Sequence, residues 1–168
     1  MREDDTSTDV ASSELKRALA LDVGDRRIGL ALSDPLGYTA QPLFTLHRTS
    51  LSADLKAIAR VIRKYVVSEI VVGLPLHASG ALSQQALKTR AFIDKLLEQH
   101  PGIHLYFLDE RFTTAEAHNL LDDLHRPSQS KTSRQQRTAV VDQVAAVLLL
   151  EAYLSVSSPR LLPPPSEL

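Results

Sequence analysis

The sequence predicts an α/β domain built on a mixed sheet of five strands, and three observations carry that prediction. Two adjacent apolar runs, 18–23 and 28–33, flank the short polar stretch Gly24-Asp25-Arg26-Arg27, which is the pattern of a hairpin. Further on, residues with helical spacing alternate with short apolar runs, the pattern of crossovers that pair strands in parallel. The chain has 168 residues, 43% hydrophobic and 23% charged, which is the size and balance of one globular unit. A chain of that length buries roughly 70% of the surface it exposes unfolded, enough for a core between layers.

Residues 1–16 are polar and acidic and are expected to form a disordered extension. The folded domain is expected over 17–155, beginning with strands at Ala18 to Val23 and Ile28 to Ser33 and a third near Leu43 to Leu46. From Ser52 the apolar positions Leu55, Ile58, Ala59, Ile62 and Val66 follow a helical period, and a buried strand follows at Ile70-Val71-Val72-Gly73. A second helix is read from Ser83 to Gln99, stopped by Pro101-Gly102, with a strand from Ile103 to Leu108. Another helix is expected to start near Thr114, where Thr113-Thr114-Ala115-Glu116 forms a capping box. A last helix, Arg137 to Leu154, is apolar on nearly every side after Gln143 and is expected to be buried. Four of the nine prolines fall in the last ten residues, so 156–168 reads as a proline-rich tail. Three antiparallel strands followed by parallel ones, flanked by helices, is the order of RNase H-like folds.

Three carboxylates stand at the end or inside of apolar elements: Asp22 after the first strand, Glu110 after the run ending at Leu108, and Asp142 in the last helix. Removing a carboxylate from water costs several kcal/mol unless a cation or dense hydrogen bonding compensates. Each also has a structural reading: Asp22 as a turn cap, Glu110 as an ion pair with Arg111, Asp142 as a helix-dipole partner. Together they point to chemistry, because the small residues Ala145 and Ala146 would let the last helix approach the sheet and aim Asp142 at the strand ends. Converging carboxylates repel unless they hold a hard cation, and an all-oxygen set suits Mg²⁺ or Mn²⁺. Such ions activate water for attack on a phosphodiester and stabilise the leaving oxygen, so no protein nucleophile is needed.

Composition narrows the alternatives. The absence of cysteine excludes disulfides, thiolate metal sites and cysteine nucleophiles, and fits a reducing cytoplasm. The start of the chain is acidic where a secretory signal would be basic and then apolar, and the longest apolar run, Val144 to Leu150, is far short of a membrane span. A soluble cytoplasmic protein is expected. The formal net charge of −1 offers no global attraction to a polyanion, so any nucleic-acid site must be a local patch.

Such patches exist. Gly73 opens a loop running to Gly80, between a strand and a helix, where backbone amides can receive a phosphate. That loop lacks the Lys-Ser/Thr ending of a P-loop, and it reads equally as a plain connection with His77 as a solvated residue. Between His125 and Val141 the chain carries Arg126, Lys131, Arg134 and Arg137 and no acid, which reads as a mobile basic loop able to close on a nucleic-acid backbone, or as a solvated connection. Arg26, Arg27 and Arg111 add positive charge beside the candidate acids.

The segments Ala20-Leu21-Asp22-Val23-Gly24, Arg27-Ile28-Gly29-Leu30-Ala31 with Ser33-Asp34, Val72-Gly73-Leu74-Pro75-Leu76, Asp109-Glu110-Arg111-Phe112-Thr113-Thr114, and Val141-Asp142 with Ala145-Ala146 resemble, in order, the motifs of the YqgF/RuvX family. The resemblance covers nearly the whole folded part. It implies an RNase H-like nuclease of the bacterial cytoplasm that matures the 5′ end of pre-16S ribosomal RNA or resolves Holliday junctions, with its acidic positions at Asp22, Glu110 and Asp142. It says little about the basic loop and nothing about either terminus. A Holliday junction has two-fold symmetry and calls for a dimer, whereas trimming an RNA end needs one site; a monomer or weak homodimer is expected. Two other classes stay open from sequence: an actin-like or sugar-kinase ATPase, which needs two such lobes where this chain has residues for one, and a nucleic-acid-binding module of the same fold without catalysis.

Overall fold

The computed structural model describes residues 17–74, 82–109 and 131–155, with side chains at all of these except 109 and 131–139. Five strands form one sheet: β1 (Arg17–Val23), β2 (Arg27–Ser33), β3 (Ala40–His47), β4 (Val67–Leu74) and β5 (His104–Asp109). Their order is β3-β2-β1-β4-β5, antiparallel across β3, β2 and β1 and parallel across β1, β4 and β5. Three helices are described: α1 (Leu51–Tyr65), α2 (Gln84–Glu98) and a long α3 (Lys131–Ser155).

The central strands are buried on both faces, and the size of alternate residues decides what lies on each. Leu19, Leu21, Val23, Ile28, Leu30, Leu32, Ile70 and Val72 pack with Leu55, Ile58 and Ile62 of α1 and Phe92, Ile93 and Leu96 of α2. The other face carries the small residues Ala18, Ala20 and Ala31 beside Val71 and Leu108, and there α3 lies down with Ala146, Leu149, Leu150 and Tyr153. Among the described residues, α1 and α2 thus cover the branched face, while α3 comes close to the small-residue face. At the far end of that contact the Tyr153 hydroxyl donates to Glu69 at 3.0 Å and its ring lies 5.0 Å from that of Tyr106. Burial and then the Glu69 charge push the Tyr153 phenol well above its ordinary value.

The hairpin, the crossovers and the mixed sheet appear as read from the sequence, with three differences. Val66 is not part of α1: it caps the helix in the left-handed region, φ 53°, and its side chain is exposed. Its apolar identity fits the helical period by coincidence, since the N–H it donates to Ile62 ends the helix. Second, α3 begins at Lys131, six residues before the expected start, so Lys131 and Arg134 belong to a helix and not to a loop. The stretch 131–137 is polar on all sides, and helix formers such as Lys, Arg and Gln leave no apolar stripe for periodicity to find. Third, α3 buries one stripe only. Val141, Ala146, Leu149, Leu150 and Tyr153 are buried, whereas Val144, Val147 and Leu148 are half-covered, because a helix lying on a sheet turns one face inward. The helix expected from Thr114 with its capping box, the expected disordered start and the proline-rich tail lie outside the described residues.

Candidate active site

Asp22 is the penultimate residue of β1, and strand alternation turns it to the α3 side with Ala18 and Ala20. From the opposite face α2 fixes the strand end: the Val23 carbonyl accepts from Gln85 Nε2 at 2.8 Å and from Thr89 Oγ1 at 3.4 Å. The turn that follows is closed by the Gly24 N–H donating to the Arg27 carbonyl at 2.9 Å. It is bolted down by Arg48, whose guanidinium donates to the Gly24 carbonyl at 2.9 Å and to Asp54 at 3.1 Å, and whose N–H donates to the Arg26 carbonyl at 3.0 Å. Asp54, 2% exposed in the first turn of α1, also accepts from the Thr49 N–H at 3.1 Å. This part-buried ion pair ties the segment after Asp22 to the start of α1. Sequence reading missed Arg48, Asp54, Gln85 and Thr89; Asp54 beside Leu55 on the apolar stripe was the one available signal.

Asp142 reaches the same place from the helix. Gly29 of β2 is the cross-strand partner of Asp22, and it lies directly beneath the backbone of Asp142. A Cβ on residue 29 would strike the Asp142 carbonyl oxygen and come within 2.5 Å of its carbonyl carbon. One glycine therefore separates the two residues that carry the carboxylates. The expected close approach exists, but the missing side chain is that of Gly29, with Ala146 fully buried one turn further along. A glycine inside a strand pattern is the sequence signal for such an approach.

Arg27, two residues before Gly29 and on the same face of β2, donates from Nε to Asp142 Oδ2 at 2.6 Å. The pair is partly open, with side-chain exposures of 31% and 19%. Gly73 is the penultimate residue of β4, buried, and pairs with Leu108 of β5. Because Leu21 pairs with Val72, Gly73 follows at the level of Asp22, at the carboxyl ends of the parallel strands. Arg26 is exposed in the turn. Lys131 and Arg134 stand in the first turns of α3, upstream of Asp142. Glu110, Arg111 and the loop with His77 lie outside the described residues, and no group of three metal-ligating side chains occurs among the described ones. Asp34 has another role: at the far end of β2 from Arg27, it accepts from the N–H groups of Leu36, Tyr38 and Thr39 at 3.0, 2.7 and 2.7 Å. Those bonds, Thr39 first, hold its carboxyl below the usual range.

A five-stranded mixed sheet with an acid at the end of its central strand and another in the covering helix defines an RNase H-like fold of the resolvase kind. Solved structures agree: RuvC of T. thermophilus, in complex with a Holliday junction substrate, superposes with a TM-score of 0.55 at 12% identity, covering 88% of this chain and 99% of that one. A Fowlpox virus resolvase bound to Holliday junction DNA gives 0.50 at 11% identity over 82% and 96%. The chain belongs to the RuvX family, described as Holliday junction resolvase, whose model matches residues 16–156. Relatives named "Putative pre-16S rRNA nuclease" include one of Moorella thermoacetica, 46% identical over 82% of this chain and 94% of the relative. Another, of Koribacter versatilis, is 47% identical over 82% and 86%. The protein is thus a nuclease, a hydrolase of phosphodiester bonds, and not a lobe of an ATPase. Among the described residues no helix is long and apolar enough to cross a membrane.

Proposed function

We propose that this chain is a divalent-metal-dependent nuclease of the cytoplasm that trims the 5′ end of pre-16S ribosomal RNA. The observation that supports the reading is the stack of Asp22, Gly29 and Asp142, in which the backbones of two acidic residues, one at a strand end and one in a helix, lie on either side of a single glycine. Asp22 and Asp142 are oxygen donors of the kind a hard cation takes, and Glu110, the residue after β5 in the sequence, would complete an all-oxygen set with them. Bound there, Mg²⁺ or Mn²⁺ supplies an activated water and charge stabilisation at the leaving oxygen. The chain's own part is to hold Asp22 on a strand end clamped by Gln85, Thr89 and Arg48, and to hold Asp142 in register through Gly29. Arg26, Arg27, Arg111, Lys131 and Arg134 would take the nucleic-acid backbone, with Gly73 leaving room for its close approach. The names of the relatives favour the RNA substrate.

A second reading, a Holliday junction resolvase, is favoured by the description of the family and the likeness to RuvC. The protein acts as a monomer or weak homodimer in the first reading, and a tight dimer at micromolar concentration would favour the second. The test is cleavage of a labelled ribosomal RNA precursor fragment and a four-way DNA junction by wild type and Asp22→Asn, with Mg²⁺ or Mn²⁺ and with chelator. RNA cleavage that needs both metal and Asp22 is expected. Binding of either substrate without metal-dependent cleavage would make the chain a binding module.

A further inference from the structure

We propose that Arg27 is a resident counter-cation of this site: its guanidinium holds Asp142 when no divalent ion is bound and competes with the ion for that carboxylate. The inference rests on the metal-site reading above. Asp142 Oδ2 receives the Arg27 Nε–H at 2.6 Å, the short length of a charge-assisted bond. The contact follows from the strand, because Arg27 and Gly29 share the face of β2 on which α3 rests. The backbones of Asp22 and Asp142 are separated by one glycine, so the fold sets two acidic residues close together, and Arg27 brings a positive charge to one of them.

An ion taken by Asp142 Oδ2 competes directly with the Nε–H bond, and one taken by the other carboxylate oxygen would stand beside the guanidinium and be repelled by it. The arginine side chain is 31% exposed, so it has a path to solvent, and ion pairs of such exposure are weak enough to be displaced. Arg27 therefore weakens the intrinsic affinity of the site for the ion. Once displaced, its planar fork of donors is available to a phosphodiester, so that ion and nucleic acid favour one another's binding.

The test is a calorimetric titration with Mn²⁺ alone, without nucleic acid, on the full chain. Arg27→Gln is expected to bind Mn²⁺ about three- to tenfold more tightly than wild type, Arg27→Lys within about twofold of it, and Asp142→Asn at least about tenfold more weakly. Unchanged or weaker binding by Arg27→Gln, with Asp142→Asn still impaired, would overturn the competition while leaving the metal site standing. Failure of wild type and Arg27→Gln alike to bind would overturn both. A second measurement needs no variant: in the wild type, the Arg27 Nε–H resonance is expected to move on saturation with Mg²⁺, and a resonance that stays in place would refute displacement.

Discussion

Gly29→Ala is the sharpest test of how this site is assembled, because the glycine touches no substrate in any reading and yet sets the distance between the two acids. The added methyl would strike the Asp142 carbonyl oxygen and stand 2.5 Å from its carbonyl carbon, where ordinary contact begins at 3.4 Å, so α3 must retreat by about 1 Å or more. The clash is with backbone, which cannot rotate away as a side chain would. Overpacking of this kind costs about 1–3 kcal/mol, equivalent to a fall of about 2–12 °C in Tm for a domain of this size. The loss of activity should be larger in proportion: a misplacement of about 1 Å in a catalytic group can cost about 100-fold in rate. Thermal denaturation followed by circular dichroism gives the first quantity, and metal-dependent cleavage at a temperature where the variant is folded gives the second. A folded variant with cleavage within about threefold of wild type would refute the claim that Gly29 sets the spacing of Asp22 and Asp142.

Asp54→Ala should destabilise the protein by about 3 kcal/mol, because it strands the Arg48 guanidinium beneath the turn that follows Asp22; chemical denaturation showing less than about 1 kcal/mol would mean that Arg48 finds water instead. Since the carboxyl of Asp34 titrates below its ordinary value of 3.8 in the folded protein, its contribution is complete above that pH and is lost as pH falls through the depressed folded value. Asp34→Asn should therefore lower Tm at neutral pH and converge on wild type in acid; a constant gap across pH would contradict this. Tyr153 has the opposite sign: with its phenol raised by burial and Glu69, its stabilisation is present below the unfolded value of 10.0 and is lost as pH rises toward the raised folded value. Tyr153→Phe should cost about 0.5–1.5 kcal/mol at neutral pH and lose less stability than wild type in alkali, both read from denaturation curves.

Much of this protein is legible from its residues in order. The alternation of large and small apolar residues in β1 and β2 determines which sheet face takes α1 and α2 and which takes α3, although as a sequence it reads only as an unbroken apolar run. Asp22 and Asp142 stand out in the sequence because a charge inside an apolar pattern is costly wherever it lands. The polar start of α3 is invisible for the complementary reason: without an apolar stripe there is no period to read, and only the helix itself shows that Lys131 and Arg134 are helical. Tertiary structure alone decides how residues far apart in the chain meet. The pairing of Asp22 with Gly29, the contact of Gly29 with Asp142, and the ion pair of Arg27 with Asp142 all depend on register and on how closely a helix lies on a sheet. A one-residue slip of β2 would turn Gly29 and Arg27 to the opposite face. Local pattern thus determines which residues are unusual, whereas register and packing, which are non-local, determine what each of them touches.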